Sequence, residues 1–213
     1  MSGMTAHLDT ASRTAADPEP EETERPGFQI TNLAEANAVL DEHPLALLIG
    51  MQLDQQYPIE HAFRGGWKIL TRFGSLDAAA IAAADPEEFA ALCRTPPAIH
   101  RYPAAKAARV QELAQLVVTG YGGDASRIWT EAKSGAELHK RLKALPGFGD
   151  QTARIMVALL GKQLGVQPRG WKAAAGDYAL KGYRSVADVT GPDALAKVRD
   201  YKKQKKAAVK ASE

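Results

Sequence analysis

The sequence predicts an all-α protein. Apolar residues recur at spacings of three and four over most of the chain, the periodicity of a helix face. Several of these stretches open on helix start signals. No stretch shows the strict apolar–polar alternation of a half-buried strand. With 213 residues, 45% of them hydrophobic, the chain suffices for one generous domain or two small lobes.

Taken in order, Met1 to about Gly27 is rich in Thr, Ala, Pro and Glu and lacks periodicity, so residues 1–27 are expected to be a disordered acidic arm. Such an arm serves as a solubilising tail or as an internal mimic of DNA. Thr31 to Leu40 predicts a short helix with Leu33, Ala36 and Leu40 on one side. Pro44 suits the first turn of the next helix, and Leu45 to Leu53 is apolar on nearly every face, which predicts a central, buried element. Pro58 to Phe73 predicts one or two helices broken at Gly65-Gly66, and Ser75 to Ala84 another short one. Asp85-Pro86-Glu87-Glu88 is an N-cap, a first-turn proline and two first-turn acids. Cys93 falls near the inward stripe of that helix and is expected to be a small buried hydrophobe. Ile99 to Pro103 leads into a long helix with Ala107, Val110, Leu113, Ala114 and Val117 inward and Gly120 as its end. His100, Arg101, Lys106 and Arg109 cluster at its start, either as phosphate contacts or as a solvated face. Gly122-Gly123-Asp124 predicts a turn before a short helix with Ile128 and Trp129. Near the end, a helix from Pro192 runs into Lys202-Lys203-Gln204-Lys205-Lys206, which adds salt-dependent affinity for nucleic acid or is simply solvated. Residues 207–213 form a basic tail.

Composition excludes several classes. No apolar run approaches about 20 residues, so no membrane span is expected. The first twenty-five residues do not resemble a signal peptide, and a cytoplasmic, nucleoid-associated location is the expectation. A single cysteine excludes an internal disulfide and any multi-cysteine zinc or iron–sulfur site. No His/Asp/Glu spacing argues for a catalytic metal. The net charge of +2 hides an acidic beginning and a basic end.

The most informative stretch is Leu145-Pro146-Gly147-Phe148-Gly149-Asp150-Gln151-Thr152-Ala153. Ser134 and Glu137 form a capping-box signature for the helix before it, Pro146 stops that helix, and the glycines permit a sharp turn. A second apolar helix with Ile155, Met156, Leu159 and Leu160 follows. The turn therefore ends in a helix N-terminus, whose unpaired N–H groups and positive dipole suit a phosphate. An ordinary αα-hairpin is the plainer alternative.

This Leu-Pro-Gly-x-Gly-x-x-Thr-Ala hairpin resembles that of the HhH-GPD superfamily of base excision DNA glycosylases, such as endonuclease III and the adenine glycosylases. A second similarity is the buried helix ending in Asp54-Gln55-Gln56-Tyr57-Pro58. Together they resemble a short bacterial branch without the iron–sulfur cluster, over roughly Pro44 to Lys206. The resemblance implies a two-lobed helical fold over residues 28–206, with the second lobe built from about 28–43 and 165–206 and double-stranded DNA bound across the cleft. It implies DNA contacts from Gly147, Phe148, Gly149, Gln151 and Thr152, Gln55 as a wedge in the base stack, and Gln56 and Tyr57 near the base pocket. Hairpins of this type often hold a monovalent cation on backbone carbonyls; no other cofactor is expected.

Hydrolysis of an N-glycosidic bond builds positive charge on the sugar, which a nearby carboxylate stabilises while it orients or deprotonates water. Bifunctional relatives carry a lysine just after the hairpin glycines. Here Gln151 stands there, and an amide forms no imine. A monofunctional glycosylase is therefore expected, unless Lys143 or Lys162 substitutes. Related chains place the catalytic aspartate after the hairpin helix, a separation that lands near Arg169, where no acid stands. Asp188, in Val186-Ala187-Asp188, and Asp177, in a Gly-Asp-Tyr loop, are the candidates, with Asp54 as an acid from elsewhere. Either aspartate also suits a cap or a turn. A non-catalytic module that recognises DNA structure or lesions through the same hairpin is the alternative, followed by a protein-interaction domain that kept only the fold.

Overall fold

The computed structural model describes residues 26–211, with side chains described through residue 208. The acidic arm lies outside these residues save for Pro26 and Gly27; of the expected basic tail, residues 207–211 continue the last helix and residues 212 and 213 lie outside the described residues.

Twelve α-helices follow one another among the described residues. The first six are α1 (Ala34–Glu42), α2 (Pro44–Leu53), α3 (Ile59–Ala62), α4 (Gly65–Phe73), α5 (Ala78–Ala83) and α6 (Pro86–Arg94). The long α7 (Pro103–Tyr121) is followed by α8 (Arg127–Thr130), α9 (Gly135–Lys143), α10 (Asp150–Gln163), α11 (Trp171–Ala175) and α12 (Pro192–Ala211). Short 3-10 turns occupy Gly176–Ala179 and Val186–Asp188. No strand forms among the described residues; a single isolated bridge joins Gln29 to Thr190. The all-α expectation holds.

Local start signals act as the sequence suggests. Asp85 accepts from the N–H groups of Glu87 and Glu88 at 2.9 Å each, and Ser134 accepts from Glu137 N–H at 3.1 Å. The Glu137 carboxylate, however, turns to Lys133 N–H rather than to Ser134. The central helix is α2: every residue from Leu45 to Leu53 is buried. Cys93 is fully buried, and burial pushes its thiol up to about 11.

Two boundaries differ from expectation. The break before α4 falls at Phe63 and Arg64, and Gly65 and Gly66 lie inside the helix. A Cβ on Gly66 would stand 2.6 Å from Ala46 Cβ, so that glycine serves the close approach of α4 to α2. The long α7 runs past Gly120 to Tyr121, and Gly122 in the left-handed region caps it.

The two ends of the described chain meet. The 3-10 turn at Val186–Asp188 packs on α10 and α12. Arg199 of α12 pairs with the buried Glu60 of α3. Lys202 of α12 reaches Asp54, at the end of α2, at 3.4 Å. The short α11 packs between α9 and α10 and brings the chain back toward the start of α10.

Candidate nucleic-acid interface

The turn between α9 and α10 is held from beneath and open above. Gly147 takes φ +80°, a conformation glycine adopts without penalty. The Phe148 ring is buried, and its N–H is donated back to the Leu145 carbonyl at 3.0 Å. Phe148 is thus the root of the turn, so any DNA contact from this residue excludes its side chain. Gly147, Gly149, Asp150 and Gln151 are exposed and Thr152 is half-buried. Gly149 caps α10 with an extended backbone, φ −83° and ψ 178°, and no side chain caps that end of the helix. The first-turn amides of Asp150, Gln151 and Thr152 therefore lack intrahelical acceptors, which makes this end attractive to an anion.

A Cβ on Gly149 would meet nothing within 4 Å, whereas Gly147 has Gln52 beneath it and a positive φ. The two glycines should separate on mutation. Gly149→Ala is expected to leave the denaturation midpoint unchanged but to weaken duplex binding about tenfold, because a methyl group then stands where a phosphate would approach. Gly147→Ala should instead lower stability by about 1 kcal/mol or more through its left-handed backbone. Fluorescence anisotropy beside chemical denaturation checks both; unchanged affinity for Gly149→Ala would remove the phosphate from this position.

The end of α2 forms the floor. Gln52, fully buried, donates from Nε2 to the Pro146 carbonyl at 2.7 Å and to the Arg109 carbonyl at 3.0 Å. Gln55 donates from Nε2 to the Gly147 carbonyl at 2.6 Å, and its Oε1 accepts from Lys106 Nζ at 2.8 Å. Gln55 is therefore committed to bracing the turn. Gln56 is the exposed member of the pair and stands at φ +53°, a left-handed backbone uncommon outside glycine and often found at functional sites.

Of the cationic cluster at the start of α7, His100 and Lys106 turn inward onto Gln55, whereas Arg101 and Arg109 are exposed, Arg109 pairing with Glu112 at 2.7 Å. His100 is buried; its Nδ1 accepts from Tyr102 N–H at 3.1 Å, which leaves Nε2–H to donate to the Gln55 carbonyl at 3.2 Å. Burial pushes its pKa down, against the backbone hydrogen bond. Lys106 is likewise lowered, first by burial and then by Arg109. Arg101 reaches the Gln56 side chain and lies 4.8 Å above the Tyr102 ring. Tyr102 itself is 58% exposed, the most exposed large hydrophobic residue among those described. Gln56, Arg101 and Tyr102 thus make a projecting tip. An aromatic residue just before a helix-starting proline was the available signal for Tyr102. Tyr57 packs 4.6 Å from the His100 ring, and burial, then Glu60, raises its pKa.

The carboxylates occupy three different settings. Asp188 has both oxygens engaged: Oδ1 accepts from Lys162 at 2.6 Å, and Oδ2 accepts from the N–H groups of Arg184 and Ser185 at 2.8 and 3.2 Å. With Ser185 it forms a capping box. Its partner Lys162 lies twelve residues beyond Asp150 on α10, about 18 Å along the axis from the hairpin. Asp177 is exposed in the 3-10 turn beside Tyr178, whose hydroxyl accepts from Gln151 Nε2 at 2.8 Å. Asp54 directly precedes Gln55, and its side chain is 6% exposed. Burial raises its carboxyl to about 6, against the lowering effect of Lys202. The sequence signal for Asp54 was a lone acid closing an otherwise apolar helix.

Among the described residues no group of three or more His, Cys, Asp or Glu side chains is arranged to hold a metal ion, and no helix is long and apolar enough to cross a membrane. A family model described as HhH-GPD superfamily base excision DNA repair protein matches residues 49–211. Comparison with curated proteins gives no match.

Proposed function

The chain belongs to the HhH-GPD superfamily of base excision DNA repair proteins, and from that membership we propose that it is a monofunctional DNA N-glycosylase whose working carboxyl is Asp54. The observation that carries this reading is the junction of α2 with the hairpin. Gln52 and Gln55 tie the end of α2 to the Pro146 and Gly147 carbonyls, and Asp54, between them, is nearly buried with a carboxyl raised to about 6. Perturbed carboxyls of this kind concentrate at catalytic sites. Asp188 is set aside because a capping box and Lys162 already satisfy it, far down α10. Asp177 is exposed, so water would screen its field at the sugar.

The steps follow from these placements. Backbone amides at the start of α10 take a phosphate of double-stranded DNA, a contact that fixes register without reading sequence. Gln56 and Tyr102, at the projecting tip, enter the stack in place of the extruded nucleotide; Gln55, engaged beneath the turn, keeps the floor rigid. Extrusion costs a few kcal/mol, least for a damaged or mispaired base. As the C1′–N bond breaks, its electron pair leaves with the base, and ionised Asp54 faces the positive sugar. Water then adds to C1′, gives its proton to the carboxylate, and the departing base is protonated in turn. Gln151, hydrogen-bonded to Tyr178, offers no amine for imine formation.

A panel of duplexes, each with one lesion or mispair, tests this. Alkali-dependent strand cleavage on at least one duplex is expected, with no cleavage before alkali. Borohydride is expected to trap no covalent complex. A trapped complex would overturn the monofunctional assignment, and duplex binding without base release on any lesion would favour a recognition module instead.

A further inference from the structure

The groove between α9, α10 and α11 leads away from the hairpin and is lined by cations. Its cavity, about 440 Å³, is bounded by Ser134, His139, Arg154, Arg169 and the small residues Ala173 and Ala174. At the hairpin end one carboxylate, Asp150, gathers three basic groups: Arg154 Nε at 2.7 Å, Lys143 Nζ at 3.4 Å and His139 Nε2 at 3.3 Å. The hydrogen bond from Arg154, then that from Lys143, holds the Asp150 carboxyl below its ordinary range. At the other end Arg169 is exposed, and among the described residues its side chain makes no hydrogen bond or ion pair; only its backbone carbonyl is engaged, accepting from Gly135 N–H at 2.9 Å. Arg154, Lys143 and Arg169 thus outnumber the single carboxylate; Lys143 and Arg154 lie on the helix pair that forms the hairpin, and Arg169 lies in the loop that leads into α11. Alanines on one wall leave room for a backbone to come close.

We infer that this furrow is a second phosphate subsite, which receives phosphodiester groups of the same DNA strand beyond the one held at the start of α10. Arg154 stands about one helical turn into α10, four residues and about 6 Å past its first residue, and Arg169 continues the positive track at the far end of the cavity. Asp150 keeps Arg154 and Lys143 in place in the absence of DNA; an arriving phosphate shares them. Arg169 stands where the count from the hairpin led to an acid, and the furrow gives the opposite charge at that position a use. The inference rests on the DNA-repair reading above.

Arg169→Gln tests it, because that side chain supports no described contact and the fold should be unaffected. Anisotropy titrations of the full chain against a short duplex carrying a stable abasic-site analogue, over a series of KCl concentrations, give the affinity and its salt slope. Arg169→Gln should weaken binding several-fold, independently of sequence, and reduce the magnitude of the slope of log affinity against log salt by about 1. Its melting temperature should equal that of the wild type. Affinity and slope identical to wild type would overturn the subsite while leaving the glycosylase reading intact. A wild-type chain that binds duplex with no salt dependence would overturn both.

Discussion

Asp54→Asn is expected to cut base release by a factor of about 10²–10⁴, on whichever lesion the wild type opens, while duplex affinity stays within a few-fold. The same change should strengthen the fold at pH 7. The wild-type carboxyl is raised from 3.8 to about 6 because it is buried, so keeping it ionised in the folded protein costs on the order of 3 kcal/mol. Between those two values the folded chain binds more protons than the unfolded one, and stability falls as pH rises through that window. Asparagine carries no charge, so the gain is present at pH 7 and absent below about pH 4, where aspartic acid is protonated in both states. Loss of the contact to Lys202 offsets little, since that lysine is 43% exposed and can return to water. In the wild type, base release should decline as pH drops through about 6, where the carboxylate takes up its proton. Denaturation midpoints at pH 4 and pH 7, beside single-turnover base release, measure all of this. An Asp54→Asn chain that releases base at the wild-type rate would pass the role to Asp177.

The largest loss of stability is expected from Gly135→Ala. A Cβ there would stand 2.5 Å from Trp171 Cα and 2.6 Å from both Trp171 N and Gly170 C. These are backbone atoms, and the Gly135 N–H bond to the Arg169 carbonyl pins them, so neither side can yield cheaply. On the other flank the Trp171 ring lies against Gly161, where a Cβ would come within 2.5 Å of it. Trp171 is therefore wedged between α9 and α10. Overpacking of this kind typically costs 1–3 kcal/mol, and Gly135→Ala should lie at about 3 kcal/mol because the whole entry to α11 must shift. Chemical denaturation followed by tryptophan fluorescence reports it; a midpoint equal to wild type would mean that α11 is not clamped in this way.

What the sequence makes legible here is what is encoded within a few residues. Asp85-Pro86 and Ser134 announce their helices because a cap and its acceptors lie within one turn. The exposed glycine turn is legible for the same reason. Asp54 is not, because its environment is completed by Lys202, 148 residues away, and by Glu60 on α3. Asp188 follows an apolar pair before a helix, as an active-site acid would, yet the nearby Arg184 and Ser185 amides make it a cap. Distinguishing Gln55 from Gln56 required the hairpin carbonyl, 92 residues on. The five residues of α11 are too few to show a periodicity, and so the element that brings Tyr178 to Gln151 leaves no trace in the pattern.

The glutamine struts beneath the turn imply that the DNA grip proposed for it is not modular. Pro146 is held by Gln52, on the buried helix α2 far upstream, and Gly147 by Gln55, just past the end of that helix. A ten-residue loop grafted onto another scaffold would arrive without its foundations. On the proposed function, recognition and global folding are thereby fused into one cooperative event: a chain that has lost α2 is expected to lose duplex binding as well.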